Sequence, residues 1–254
     1  MVIDYACGSG HFLTEYMDLE QNIIKNINKS KFSKAAQREL EKGDYEWAEN
    51  YVYGIEKDYR LAKTTKLNTF LNGDGSANII NADGLAPFYT YEDDLYSSTS
   101  DNGKFNLVIA NPPYSIDDFH ITMNKKSSEC FTLWNSTMGN NIECLFVERT
   151  AQLLKTDGNG YAAIIIPDSI SFTNNAFFEN TRKLLFEKFR IKAILNCTGK
   201  CFAAKDETTK ILFLQRRKDG DIQNINLLIN NFLKNGIDFT FEKQVDVIHK
   251  YLAM

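Results

Sequence analysis

The residues best equipped for chemistry are Asn111, Pro112, Pro113 and Tyr114. Two consecutive prolines stop both helix and ladder, because neither carries an N–H and both fix φ. Pro112 also drives Asn111 toward extended backbone. The expected result is a stiff corner that presents one side-chain amide, carbonyls with no neighbouring donors and one aromatic ring. Such a corner suits an amino group on a flat ring. The Asn111 amide oxygen and the Pro112 carbonyl can accept both protons of an –NH2 group, concentrating electron density on nitrogen as it turns from planar to tetrahedral. Tyr114 supplies a face for a stacked base, worth roughly 1–3 kcal/mol.

A second set of residues suits a nucleotide-type ligand. Asp4 precedes the small-residue turn Ala6-Cys7-Gly8-Ser9-Gly10, and His11-Phe12-Leu13 then starts a helix. Strand, Gly-rich turn and helix N-terminus form the layout of a cofactor site. The turn is not G-x-G-x-x-G and lacks the lysine of a phosphate-cradling loop. Asp4 would repel a pyrophosphate but suits a cationic or hydroxyl-bearing ligand. Glu56 ends the second strand, where an acid typically binds ribose hydroxyls. Asp83 follows the third strand and either accepts from an adenine amino group or caps a turn.

These residues need elements to hold them. Residues 2–5, 52–56, 78–82, 105–109, 161–166, 191–197 and 210–216 read as strands, short and rich in β-branched residues. Helices are expected from His11 onward, over 58–71, 142–154 and 176–189, and near 221–234. Tyr16, Leu19, Ile23 and Ile27 recur at helical spacing, and 142–154 reads as amphipathic with Leu145, Phe146, Ala151 and Leu154 toward the core. Residues 31–50 read as a charged, solvated helical insertion in which Trp47 and Tyr51 pack. Residues 115–141 lack clear periodicity and read as a mobile or substrate-contacting loop. Strands alternating with helices give an α/β fold with a mostly parallel sheet. No convincing helix joins the last two strands, so the final strand is expected to run antiparallel. Asp4, Glu56, Asp83 and Asn111 then share the C-terminal rim of the sheet, the side on which open α/β sheets bind ligands.

Composition narrows the function classes. Of 254 residues 43% are hydrophobic, enough for a sizeable core, and no apolar run approaches the length of a membrane span. A secretory leader is not expected, because Asp4 breaks the first apolar run. The net charge of −4 argues against a domain that grips duplex DNA alone, since much of the phosphate contact would have to come from a partner. The five cysteines lack the paired spacing of a zinc site and read as reduced intracellular thiols. The three scattered histidines do not suggest a metal centre.

Taken together, the stretches Asp4–Leu13, Gly54–Glu56, Asn81–Asp83, Asn111–Tyr114, Gly160–Pro167 and Lys210–Leu214 resemble the S-adenosylmethionine-dependent DNA adenine-N6 methyltransferases. The resemblance is greatest to modification subunits of type I restriction-modification systems and covers roughly residues 1–218 in the family's order. It implies a Rossmann-like class I methyltransferase domain with a seven-stranded sheet and a helical insertion over about 14–50. Residues 219–254 would be a C-terminal helical extension, and the chain a catalytic-domain fragment of a longer cytoplasmic protein. It further implies that S-adenosylmethionine is held by Asp4, Ala6, Gly8, Gly10, Phe12, Glu56, Asp83, Gly84 and Asn111. Asn111, Pro112, Pro113 and Tyr114 would act on a flipped-out adenine, with Phe202 as a second stacking face. DNA, a specificity subunit and a restriction subunit are the implied partners, and no membrane or metal is involved. The family usually carries proline where this chain has Tyr5, and a helical region and a further cofactor-contacting segment before the first strand. Two other readings stay open: methylation of a protein glutamine or an RNA guanine amino group, and a catalytically weak scaffold for DNA or a specificity subunit. A dinucleotide-dependent oxidoreductase is disfavoured by the missing third glycine.

Overall fold

A computed structural model describes residues 1–41, 43–73, 78–88, 103–117, 119, 123, 125–134, 140–197 and 208–221. In chain order the elements begin with β1 (Val2–Asp4), α1 (His11–Asn26), α2 (Lys34–Leu40) and α3 (Ala48–Tyr51). There follow β2 (Val52–Glu56), α4 (Tyr59–Leu71), β3 (Asn78–Asn81), β4 (Leu107–Ala110) and α5 (Lys125–Ser128). The remainder is α6 (Ile142–Leu153), β5 (Tyr161–Pro167), α7 (Ser169–Phe172), α8 (Ala176–Lys188), β6 (Phe189–Cys197) and β7 (Thr209–Arg216).

The strands form one seven-stranded sheet in the order β3-β2-β1-β4-β5-β7-β6. From β3 to β5 every pairing is parallel, and β7 runs antiparallel to both of its neighbours, β5 and β6. This matches the expected sheet, reversed final strand included. Register places Asp4 opposite Gly54, Glu56 opposite Asn81 and Ala110 opposite Ile164. The C-terminal ends of β1, β2, β3 and β4 therefore share one rim. The strand order reverses between β1 and β4, which opens a crevice above that junction.

Several sequence-based expectations change, and Tyr51, expected to pack beside Trp47, is exposed. The fourth strand lies two residues later than the apolar run suggests, because Phe105 forms an isolated bridge with Leu154 instead of joining the ladder. The face of α1 toward the core carries Leu13, Met17, Gln21 and Ile24, while Leu19 and Ile23 are exposed. Gln21 is buried for its hydrogen bonds: its amide oxygen accepts from the Tyr45 amide and from Trp47 Nε1 (2.8 Å), docking the insertion. Helix α6 is not amphipathic, since Glu143, Glu148 and Arg149 are buried along with its apolar residues. Each charge there has a use. The Arg149 guanidinium lies over the Phe88 ring at 4.4 Å and donates to the Ala86 carbonyl. The Glu148 carboxyl group accepts from the amides of Thr132 and Leu133, so the described part of the stretch after the corner is folded onto α6. Buried Phe119 and Phe131 reinforce that docking.

Of the expected C-terminal extension only residues 219–221 are described, and the helix near 221–234 lies outside the described residues apart from its first position. Among the described residues no helix is long and apolar enough to cross a membrane.

Candidate active site

The turn after β1 is built by backbone geometry that side chains rarely allow. Gly10 sits at φ 80° as the N-cap of α1, and an added Cβ would lie 2.5 Å from Thr65 Cγ2. Thr65, buried on α4, donates its hydroxyl to the Gly8 carbonyl, and Asn68 donates to the Ser9 carbonyl. The turn is thus clamped from α4. Glu56 clamps it from β2: Oε2 accepts from the Gly8 amide at 2.8 Å and Oε1 from the Asp58 amide at 2.7 Å. Asp58 in turn caps α4 through the amides of Arg60 and Leu61, which is why the helix starts where it does.

Above this turn a cavity of about 580 Å³ opens in the crevice. Ala6, Glu56, Asp83 and Gly84 line it together with Asn111, Pro112, Pro113 and Tyr114. Members of both expected residue sets therefore face one space. Gly84 is required there, because a Cβ would collide with the Tyr5 carbonyl oxygen. Of the remaining expected cofactor residues, Asp4, Gly8, Gly10 and Phe12 are not part of the cavity wall. Asp4 lies beneath the turn, 1% exposed, and accepts from the Ala6 amide at 3.0 Å. Phe12 is half-buried in the first turn of α1. Phe202 lies outside the described residues.

Asp83 is partly committed within the chain. Its Oδ1 accepts from the Leu85 amide at 2.9 Å, the turn role weighed for it, and Oδ2 pairs with Lys57 Nζ at 2.9 Å. Lys57, Ile116, Phe119, Ile142 and Phe146 also reach the cavity, and sequence reasoning assigned none of them to it. Lys57 carried a signal as the neighbour of Glu56, and Ile116 and Phe119 fall in the stretch 115–141 read as substrate-contacting. Tyr5 keeps its ring in the core, stacked on Phe146 at 5.4 Å, with its hydroxyl 3.2 Å from the Phe146 carbonyl and 2.8 Å from Thr150 Oγ1. The tyrosine thus ties the first turn to α6.

At the corner, the Asn111 amide oxygen is buried and has no hydrogen-bond partner among the described residues. An unpaired buried acceptor costs roughly 1–3 kcal/mol. Ser115 ends the corner at φ 52°, and its amide donates to Glu143 Oε2 at 3.1 Å. Among the described residues no group of three or more His, Cys, Asp or Glu side chains is placed to hold a metal ion.

Burial pushes the Asp4 carboxyl up to about 7; the Ala6 amide opposes the rise and Glu56 adds to it. Between the unfolded value of 3.8 and about 7 the folded protein holds a proton that the unfolded chain has lost. The contribution of Asp4 to stability is therefore fully present below that unfolded value and is lost as pH rises through the folded one. Thermal melts of the ligand-free protein should show a decline from about pH 4 to 7 worth a few kcal/mol in unfolding free energy, and Asp4→Asn should flatten it. An Asp4→Asn profile as steep as the wild type would mean that Asp4 is ionised in the fold.

The family model described as N-6 DNA methylase matches residues 1–249 of the chain. The chain is similar to the type I restriction enzyme MpnII methylase subunit of Mycoplasma pneumoniae, with 25% identity over 225 residues, covering 86% of this chain and 36% of that protein. It is also similar to the type II restriction enzyme and methyltransferase RM.Eco57I of Escherichia coli, 25% identical over 246 residues, with 84% and 24% of the two chains covered. The crystal structure of the EcoKI M protein, a type I restriction enzyme subunit, shares the fold with a TM-score of 0.60 at 20% identity, over 87% of this chain and 40% of that one. The chain thus spans about a third of the length of the Mycoplasma relative, at 36%.

Proposed function

The chain belongs to the N-6 DNA methylase family, and from that premise we propose that it transfers a methyl group from S-adenosylmethionine to N6 of adenine in DNA. The observation that carries this reading is the buried Asn111 oxygen, without a partner among the described residues, at a proline corner that lines the same cavity as Glu56 and Asp83. An acceptor kept out of water and unmatched among the described residues suits the amino protons of a base. The family match favours DNA adenine over a protein glutamine or an RNA guanine.

The chain's residues fit the cofactor. The cavity lining holds both Glu56 and Asp83, acids suited to a nucleoside, and Asn111, suited to the reacting amino group. Glu56 would accept from ribose hydroxyls with lone pairs left over from Gly8 and Asp58. Asp83 would take the adenine amino group, either sharing its Oδ2 with Lys57 or displacing that exposed pair, whose loss costs little. The Gly84 backbone, with no Cβ beside it, leaves room for close approach. When bound, S-adenosylmethionine supplies a methyl group on a sulfonium centre, open to in-line attack by nitrogen.

The protein's part is capture and polarisation. A base inside a duplex cannot reach the corner, so it is flipped out at a cost of a few kcal/mol. Tyr114 stacks on it. Asn111 Oδ1 and the Pro112 carbonyl hold the two amino protons, and their dipoles are set in advance for the charge moving onto nitrogen. Pro113 keeps the carbonyl and the ring in fixed relation. The partners we assign are DNA, a specificity subunit and a restriction subunit, because a chain of net charge −4 offers few phosphate contacts of its own. The test is transfer of tritiated methyl from S-adenosylmethionine to DNA by the complete gene product with its partner subunits. Label in N6-methyladenine is expected; label in another base or in protein, with none in adenine, would overturn the assignment.

A further inference from the structure

The corner poses a mechanical problem. Pro112 and Pro113 have no N–H, so between residues 112 and 115 the Tyr114 and Ser115 amides are the only backbone donors that can anchor it. Ser115 also sits in the left-handed region at φ 52°, which a residue with a Cβ adopts only when its surroundings impose it. The imposed contact is the hydrogen bond from the Ser115 amide to Glu143 Oε2, 3.1 Å. Glu143 is 2% exposed and belongs to the first turn of α6. One residue before that helix's cap, Asn140 donates to Asp117 Oδ1 at 2.6 Å, a second tie between the same segments.

Helix α6 cannot yield easily. Every residue from Glu143 to Ala151 is buried. The helix also grips the cofactor side of the cavity, because Tyr5 hydrogen-bonds Thr150 and the Phe146 carbonyl, and Phe146 itself lines the cavity. One rigid element therefore touches the turn that would hold the methyl donor, through Tyr5, and the corner that would hold the acceptor, through Glu143.

We propose that Glu143 is a positioning residue: it fixes the Asn111–Tyr114 corner through the Ser115 amide and so sets the corner's distance from the cofactor turn. This rests on the methyl-transfer reading above. A misplacement of about 1 Å at such a site can lower the rate by about a hundredfold without loss of binding. Glu143→Met keeps the volume and removes the acceptor. Glu143→Gln keeps an amide oxygen that can take the same N–H.

The test is methyl transfer to duplex DNA by the complete gene product with its partners. For Glu143→Met we expect kcat to fall about ten- to a hundredfold, with KM for S-adenosylmethionine changed less than about twofold. Glu143→Gln should return kcat to within about threefold of wild type. Equal kcat for the two variants, or a kcat and KM that worsen together in step with lost thermal stability, would overturn the proposal. Hydrogen exchange at the Ser115 amide is the second readout and needs no turnover. It should be slow in the wild type and in Glu143→Gln. If Glu143→Met does not fold, wild-type exchange decides, and an amide as fast as in a free peptide refutes the tie. A wild type that places no methyl on adenine refutes the functional reading instead, and the exchange measurement still reads the Glu143–Ser115 contact by itself.

Discussion

Asn111→Ala should lower kcat for adenine methylation by about a hundredfold or more and leave cofactor affinity nearly unchanged. In the proposed reaction the amide oxygen accepts from an amino group that becomes more polar as nitrogen pyramidalises, so the interaction would strengthen toward the transition state. Loss of one preorganised partner of this kind costs on the order of 3 kcal/mol. The same substitution should not lower the melting temperature of the ligand-free protein. In that state the oxygen is buried without a partner among the described residues, and removing it relieves a desolvation cost of roughly 1–3 kcal/mol. A residue that served only the fold would give the opposite pattern, a lower melting temperature with turnover falling in proportion. Tyr114→Ala should weaken capture of the flipped base, while Tyr114→Phe should be mild, since stacking needs the ring and not the hydroxyl. Near-normal turnover by Asn111→Ala would mean that the corner is not where the amino group reacts.

The corner was legible in the sequence because its constraints are covalent. Proline fixes φ and removes a donor wherever it stands, and no tertiary contact alters that. The rim was legible for a related reason: strand ends in an alternating α/β chain are ordered by topology, so Asp4, Glu56, Asp83 and Asn111 fall on one side once the strands are assigned. The reversed β7 was legible because the sequence between the last two strands carries no helical pattern.

Other features depend on partners distant in sequence. Glu143 sits 28 positions from Ser115, and an acid in the first turn of a helix reads equally well as an exposed partner of the helix dipole. Its burial comes from α6 lying inside the protein on all sides, and hydrophobic periodicity misses a helix that buries charges against specific acceptors and rings. Gln21 misleads in the same way: a polar residue on the buried face of α1 hides that face behind the exposed Leu19 and Ile23. The position of Asp4 at the end of β1 points toward the cofactor site. The structure puts its carboxyl under the turn, off the cavity wall, where the Ala6 amide satisfies it. In the proposed reading its influence on a ligand would run through the shape of the turn.

That division of labour makes Glu56 the acid whose loss should hurt cofactor binding most. Glu56→Ala should weaken S-adenosylmethionine affinity about ten- to a hundredfold, read by calorimetry on the purified chain. The carboxyl group lines the cavity and already orders two backbone donors, Gly8 at 2.8 Å and Asp58 at 2.7 Å. Hydrogen bonds to a charged group are worth roughly 1.5–3 kcal/mol each, so losing even one ribose contact reaches that range. Glu56→Gln should fare nearly as badly despite its matching shape. Its NH2 group would face either the Gly8 or the Asp58 N–H, setting donor against donor, and only one oxygen would remain to accept. Glu56→Gln with wild-type affinity would show that the carboxylate holds the turn and nothing more. Unchanged affinity in Glu56→Ala would remove Glu56 from the cofactor site altogether and leave Asp83, freed from Lys57, as the acid that must anchor the nucleoside.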